Sequence, residues 1–314
     1  MANRVRVFAP ASASNLGPGF DVLGLALVSP GDIVEAELSQ APGVEIVEIT
    51  GSQSLSKDPG INVVGVTASA ILQQLNHHNS CGVRIWLHKQ MPLASGLGSS
   101  AASSVGAAVA VNHLLGDPLS SKELIQYALE GEAVASGSRH ADNVAPSLLG
   151  GIVLIRSYTP LDLVALPVPS ALRIVVVHPH TAVETASARE LVNKQRFSIS
   201  QVVANLGNVA ALVSALHSDD LNLFSRSIQD MLVEPIRAPL VPAFSKVKKA
   251  ALAAGALGCS ISGSGPSVFA FAESDTVATA VSDAIQKTFT SAGFNSDPYL
   301  GPINTKGAQI LPPR

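Results

Sequence analysis

Gly96, Gly98, Ser99 and Ser100 stand together in the stretch Met91-Pro-Leu-Ala-Ser-Gly-Leu-Gly-Ser-Ser-Ala-Ala-Ser103, and residues of these types in this order can bind phosphate. Glycine reaches positive φ without a Cβ penalty, so Gly96 and Gly98 can turn successive N–H groups inward. Ser99 and Ser100 then open a helix over residues 99–115, which Gly116 and Pro118 stop. The free N–H groups of its first turn and the positive end of its dipole would face an anion. The same residues would also serve a small-residue helix packed tightly on a sheet, so the motif alone leaves both readings open.

A carboxylate in the next helix adds to this chemistry. Ser120 and Glu123 form a capping-box pair that starts a helix ending near Gly137. On it Ile125, Ala128, Leu129 and Glu132 share one stripe by i+3/i+4 spacing, whereas Glu130 aligns with Glu123 and Gln126 and is expected in solvent. A carboxylate on the inward stripe is costly unless it meets a cation, so Glu132 either ligates a metal or forms a buried ion pair. A phosphate cradle on the preceding helix favours Mg²⁺ shared between Ser100 and Glu132.

These side chains need a scaffold, and the first half alternates strands and helices. Strands are predicted at 5–10, 32–38, 44–50, 82–89 and 151–155, a helix at 62–75, and loops at 12–20 and 138–146. Pro160, Pro167 and Pro169 mark the expected boundary between domains 1–165 and 166–314. The second half predicts a strand at 173–178 and helices at 187–193, 200–216, 221–232 and 241–254. A strand at 258–262, the turn Gly263-Ser-Gly265-Pro266, a return strand at 268–272 and a helix at 275–292 follow. Strands mixed with pairs of helices indicate an α+β domain.

Composition sets outer limits. With 47% apolar and 14% charged residues, the 314-residue chain reads as folded and globular. Its net charge of −3 and lack of basic runs exclude a nucleic-acid or anionic-membrane footprint, so small substrates are the expected partners. Cys81 and Cys259 lack companions at metal spacing, which fits two buried thiols in a reducing compartment. The start runs straight into a strand without an apolar leader, so a cytoplasmic protein is expected. The nearest approach to a membrane helix, 101–115, is short and holds Ser103, Ser104, Asn112 and His113.

Three blocks carry a resemblance: Pro10-Ala-Ser-Ala-Ser-Asn-Leu-Gly-Pro-Gly-Phe-Asp21, the cradle at 92–103, and Gly258-Cys-Ser-Ile-Ser-Gly-Ser-Gly-Pro266. Their order and spacing resemble the GHMP small-molecule kinases, and the similarity runs over residues 5–292. Within that family Arg139-His-Ala-Asp-Asn-Val-Ala-Pro146, Thr185-Ala-Ser-Ala-Arg189 and Glu234-Pro-Ile-Arg237 resemble the segments of members that phosphorylate L-homoserine. The resemblance implies an α+β, two-domain fold: an N-terminal α/β domain with a left-handed β-α-β crossover and a C-terminal ferredoxin-like domain. ATP and substrate would lie between them. The implied reaction phosphorylates the side-chain hydroxyl of L-homoserine with ATP and Mg²⁺, a step of threonine biosynthesis.

Site roles follow from the same resemblance. ATP would occupy Pro92, Leu93, Ala94, Ser95, Gly96, Leu97, Gly98, Ser99, Ser100, Ala101 and Ala102, with Asn62 toward the adenine. Arg189 and Arg237 would clamp the carboxylate with their forked donors. Asn15, Asp21 and Asp142 would accept from the ammonium or hydroxyl, and His140, Asn143, Thr185 and Gly263 would complete the substrate pocket. Asn143 stands where mevalonate-kinase-like members carry an aspartate base, and an amide cannot take the proton. Direct in-line attack, with Asn143, Asp21 and Arg189 as the catalytic set, is therefore expected, and Asp21 stays open as a base.

Other classes are weaker. The chain has no G-x-x-x-x-G-K-[ST] loop and no G-x-G-x-x-G with a downstream acid, so P-loop and dinucleotide enzymes are disfavoured. A binding protein without chemistry, or a kinase for another small alcohol such as mevalonate, are the alternatives, and a homodimer is left open.

Overall fold

The structure, a computed structural model, describes residues 4–312. Its first half contains β1 (Val5–Ser14), β2 (Leu23–Ser39), β3 (Gly43–Thr50), β4 (Gly82–His88), β5 (Ile152–Tyr158) and β6 (Leu161–Leu166), together with α1 (Val63–Gln74), α2 (Ser99–Leu114), α3 (Ser121–Ser136) and α4 (Ala141–Leu149). The second half contains β7 (Arg173–Pro179), β8 (Gly258–Ile261), β9 (Val268–Ala272), β10 (Ser296–Pro302) and β11 (Gln309–Ile310). Its helices are α5 (Thr185–Asn193), α6 (Ile199–Ser218), α7 (Leu221–Ser227), α8 (Glu234–Arg237), α9 (Phe244–Ala253) and α10 (Asp275–Ser291).

The strands form two sheets. One runs β11-β1-β2-β4-β3, with β5 beside β2 and β6 beside β5, and its single parallel pair, β3 and β4, is joined through α1 as a β-α-β crossover. The other is fully antiparallel in the order β10-β7-β9-β8, which is the ferredoxin-like arrangement for strands met in the order β7, β8, β9, β10. After β10 the chain returns to the first sheet, where Ile303 bridges Leu27 and β11 pairs with β1.

Side-chain alternation explains the continuous apolar run of β7. Val175 and Val177 face α9 and α10 with Val247, Val281 and Phe289, whereas Ile174 and Val176 join the larger core with Leu212, Leu216 and Phe224. Both faces of this sheet are buried, so no polar position interrupts the strand. In the first half α2 plays the central part. Ala101, Ala102, Val105, Ala107, Ala108, Ala110 and Val111 are all fully buried, and α2 touches β1, β2, α1, α3 and α4. Only small residues allow packing on so many sides: a Cβ on Gly106 would come within 2.6 Å of Val34 Cγ2.

Several expectations need correction. Residues 141–149 form α4 rather than a loop, with Pro146 inside it. Its first turn lies so close to β2 that a Cβ on Gly24 would overlap the Asp142 carbonyl oxygen. The loop at 12–20 begins later, because Ser12 and Ser14 pair with Ala26 and Gly24 as the end of β1. The helix at 221–232 stops at Ser227, after which Asp230 caps a new turn. Glu130 is half-buried rather than solvated, and Cys81 is half-buried while Cys259 is fully buried. Among the described residues α6, not 101–115, has the length and apolarity of a membrane span, and its last turns send Leu212, Ala215 and Leu216 into the core.

Candidate active site

Residues 92–98 lie where the two halves meet, and bonds from both hold them. Ser12 N–H donates to Leu97 O at 3.0 Å from the first half; Val183 N–H reaches Ala94 O at 3.2 Å and Ser262 Oγ reaches Gly96 O at 2.7 Å from the second. Gly96 and Gly98 adopt φ of +78° and +65°, the positive values expected of a cradle. Gly98 is also the N-cap of α2 and carries no side chain to occupy the helix's first N–H groups. A cavity of about 630 Å³ opens over this N-terminus, a volume suited to a small-molecule site. Leu93, Ala94, Ser95, Gly96, Gly98, Ser99 and Ser100 line it; Pro92, Leu97, Ala101 and Ala102 do not, and the last three are fully buried packing residues.

Gly98→Val is expected to weaken ATP binding by roughly tenfold or more, since a β-branched residue at this φ is strained and costs on the order of 1–3 kcal/mol. Its Cβ would also collide with Ser12 Oγ and lie 2.9 Å from Asn143 Oδ1. Calorimetric titration with ATP checks this; unchanged affinity would reduce the motif to packing.

Beneath the cradle lies a buried ion pair that sequence reading overlooked. Lys89 Nζ donates to Asp32 Oδ2, to Ser99 Oγ at 2.6 Å, to Ser99 O at 3.0 Å and to Ser103 Oγ at 3.0 Å, and both charged side chains are essentially inaccessible. Burial pulls the Lys89 pKa below the usual lysine value, against the opposing charges of Asp32 and Glu132. The signal was a lysine closing the strand at 82–89 just before the cradle.

Glu132 is buried as its stripe requires, and it lines the same cavity as Ser100. Its Oε1 lies 3.1 Å from His140 Nδ1. Burial opposes charge on that imidazole, but the Glu132 bond and the Asp142 charge outweigh it and leave the His140 pKa raised. Among the described residues no three His, Cys, Asp or Glu side chains gather as a metal cluster.

One wall of the cavity is crowded with charge. Arg189 makes a bidentate pair with Asp21, both N···O distances being 2.8 Å, so a predicted clamp and a predicted acceptor hold each other. Arg237 is only 3% exposed and donates from Nη1 to Gly263 O at 2.8 Å; among the described residues its Nε has no hydrogen-bond partner and no carboxylate forms an ion pair with it. Burial and the nearby Arg189 push its pKa down to about 10. Both guanidinium groups lie over the Phe20 ring, at 5.4 and 5.0 Å. Asn15 Nδ2 also donates to Gly263 O, at 3.0 Å, which makes that carbonyl a shared anchor. Thr185 Oγ1 is 3.3 Å from Ser264 Oγ on the facing wall.

Asn143 sits in the first turn of α4, with Nδ2 donating to Ser14 Oγ at 3.2 Å and Oδ1 accepting from Ser12 Oγ at 2.9 Å. Both serines were missed as site residues, although their alternate positions on one strand put them on one face. Asp142 beside it is buried, and burial together with the Asp21 charge pushes its pKa up to about 6. Asn62 lines the far end of the cavity, where it caps α1 by accepting from Val64 N–H at 3.1 Å and donates to Ser56 O at 2.6 Å.

Comparison with known proteins gives the family and the fold. Residues 62–151 match the GHMP kinases N terminal domain and residues 212–291 the GHMP kinases C terminal domain. The homoserine kinase of Chlorobium phaeovibrioides is 45% identical, with 98% of this chain and 99% of that protein covered. The homoserine kinase of Xylella fastidiosa is 40% identical, with 99% and 95% covered. The crystal structure of homoserine kinase from Cytophaga hutchinsonii matches at a TM-score of 0.95 and 49% identity over 99% of this chain and 98% of that one. The mevalonate kinase of L. major, crystallised with R-mevalonate, shares the fold at a TM-score of 0.73 and 17% identity over 96% and 95% of the two chains.

Proposed function

The chain belongs to the homoserine kinases of the GHMP kinase family, and on that premise we propose how its cleft moves the γ-phosphoryl group of ATP to the side-chain hydroxyl of L-homoserine. The reaction yields O-phospho-L-homoserine and ADP, a step of threonine biosynthesis. Arg237 is the observation that carries the substrate assignment. A guanidinium buried without a carboxylate partner costs several kcal/mol, and an α-carboxylate lying against it removes that cost.

A zwitterion fits by exchange. Asp21 and Arg189 satisfy each other in the structure. Homoserine brings a carboxylate for Arg237 and Arg189 and an ammonium for Asp21, Asp142 and Asn15, so every charge keeps an opposite partner. A ligand with one ionic group would leave an arginine or an aspartate unmatched. The hydroxyl, at the other end of the amino acid, then points toward the cradle.

Asn143 orients and does not abstract. Its amide is pinned between Ser12 and Ser14 and has no carboxylate basicity, while Asp21, which holds Arg189 in the structure, passes to the substrate ammonium as Arg189 turns to the carboxylate. The homoserine oxygen bonds to the γ-phosphorus as the bond to the β,γ-bridging oxygen breaks and ADP leaves. A loose transition state keeps the hydroxyl proton in place until late, when a transferred phosphoryl oxygen can take it. Positioning supplies much of the acceleration.

Ser100 and Glu132 fit Mg²⁺, a hard cation that takes one or two carboxylates and completes its shell with phosphate oxygens and water. Bound there, it would neutralise charge on the phosphates. A cytoplasmic setting belongs to this proposal. ADP release with and without homoserine tests the reading: release is expected to depend on homoserine, and equal rates without it would refute it.

Asp142 gives the site a pH dependence. Protonation through about pH 6 removes an ammonium acceptor, so the homoserine KM is expected to rise as pH falls below 6 while the ATP KM holds. Stability moves the other way. The folded pKa lies above the ordinary aspartate value of 3.8, so the native state binds more protons in that window and stability falls as pH rises from 3.8 to about 6. Asp142→Asn is therefore expected to raise stability at pH 7.5 by on the order of 2–3 kcal/mol while lowering homoserine kcat/KM. Melting curves and kinetics on one preparation check both signs; a destabilised variant with normal kinetics would contradict them.

A further inference from the structure

The first turns of α6 stand out from the body: Ile199, Val203 and Leu206 are 83%, 61% and 62% exposed, yet Asn205 among them is only 6% exposed. Asn205 Oδ1 accepts from Met231 N–H at 3.1 Å, and its Nδ2 donates to Pro18 O at 2.9 Å. One orientation of the amide satisfies both bonds, since one partner is a donor and the other an acceptor.

The two partners belong to the two segments that hold the amino acid. Pro18 lies midway in the loop that carries Asn15 and Asp21, which adopt φ of +73° and +60°, a conformation that non-glycine residues keep only where the surroundings enforce it. Met231 opens the turn that ends at Arg237. Asp230 caps that turn from Oδ1 to Leu232 N–H at 2.8 Å and Val233 N–H at 2.9 Å, and from Oδ2 to Glu234 N–H at 2.8 Å. Glu234 is tied in turn to Lys248 at 2.5 Å and Ser260 at 2.6 Å. The Arg237 turn is thus rigid within itself, and Asn205 joins it to the Asp21 loop through a side chain off the cavity wall.

We propose that Asn205 is a positioning residue that sets the spacing between Asp21 and Arg237, and so the fit of the amino-acid substrate. This role rests on the homoserine reading. Without the strut the two segments keep their shared anchor at Gly263 O but lose the link between Pro18 and Met231, so their spacing loosens, whereas the nucleotide cradle, held by Ser12, Val183 and Ser262, keeps its own bonds.

The test compares Asn205→Ala, Asn205→Asp and Asn208→Ala with wild type by steady-state kinetics in both substrates and by melting temperature. Asn205→Asp keeps the volume and the acceptor for Met231 N–H but loses the donor to Pro18 O, so it decides the matter should the alanine variant fail to fold. Asn208, which donates to Gln229 O at 2.9 Å on the surface, is the control. In both Asn205 variants the homoserine KM is expected to rise by about tenfold while the ATP KM stays within about twofold of wild type. Asn208→Ala is expected to match wild type. A lowered melting temperature and kcat with both KM values unchanged, or equal rises in both, would show a merely structural role and overturn the proposal. Wild-type enzyme that fails to turn over homoserine would overturn the substrate reading and the strut with it; wild-type turnover with unshifted variants would overturn the strut alone.

Discussion

Arg237→Leu is expected to lower kcat/KM for homoserine by on the order of 2–5 kcal/mol, that is by about thirtyfold to a few thousandfold. Leucine approximates the length of the stem but removes a charge that burial has already stripped of solvent. Without it the α-carboxylate must rely on Arg189 alone, which has to leave Asp21 to reach it. ATP affinity is expected to change little, because Arg237 donates to Gly263 O and not to a residue of the cradle. An acceptor that keeps the hydroxyl and ammonium but lacks the carboxylate sharpens the test. Wild type should prefer homoserine strongly, and the variant should lose most of that preference. Equal discrimination by the two proteins would mean that Arg237 does not read the carboxylate.

Glu132→Gln is expected to leave the fold intact and to reduce turnover by roughly two or more orders of magnitude, the scale seen when one preorganised charge partner is lost. The amide oxygen of glutamine can still accept from His140 Nδ1, now 3.1 Å from Oε1, so the packing between α3 and α4 survives. What disappears is the negative charge at the Ser100 side of the cavity and its support for the buried Lys89 ammonium. Raising Mg²⁺ should partly restore turnover if weakened metal binding is the cause. Glu130→Gln, one turn-face away and half-buried, should lose little. Equal losses in the two variants, or full activity in Glu132→Gln, would contradict the assignment.

The parts of this account that were legible in the chain are those where one residue's chemistry dictates its surroundings. Gly96 and Gly98 announced positive φ, the 125-128-129-132 stripe announced the inward carboxylate, and the structure has both. The capping box at Ser120 and Glu123 placed the start of α3 as well. What stayed hidden depends on partners distant in the chain. Asp32 and Lys89 are 57 residues apart and become a site feature only when β2 pairs with β4. Asp21 and Arg189 were each read as facing a ligand, and only the fold shows that 168 residues of separation close into a bidentate pair. β10 was missed because Pro298 and Pro302 disfavour a strand; as an edge strand beside β7, it tolerates the missing donors. α4 was missed for a similar reason, since Pro146 reads as a helix breaker and the nine-residue helix persists because it is packed on β1 and β2.

A ternary structure with homoserine, Mg²⁺ and a non-hydrolysable ATP analogue puts the whole arrangement to one test. The expected result has the α-carboxylate against Arg237, Arg189 turned from Asp21 toward the ligand, and Ser100 and Glu132 at one metal ion. The homoserine oxygen should lie about 3–3.5 Å from the γ-phosphorus and in line with the bond that breaks, with no carboxylate within reach of its proton. An amino acid bound in the reverse sense, with its carboxylate away from Arg237 and its hydroxyl far from the γ-phosphate, would contradict it.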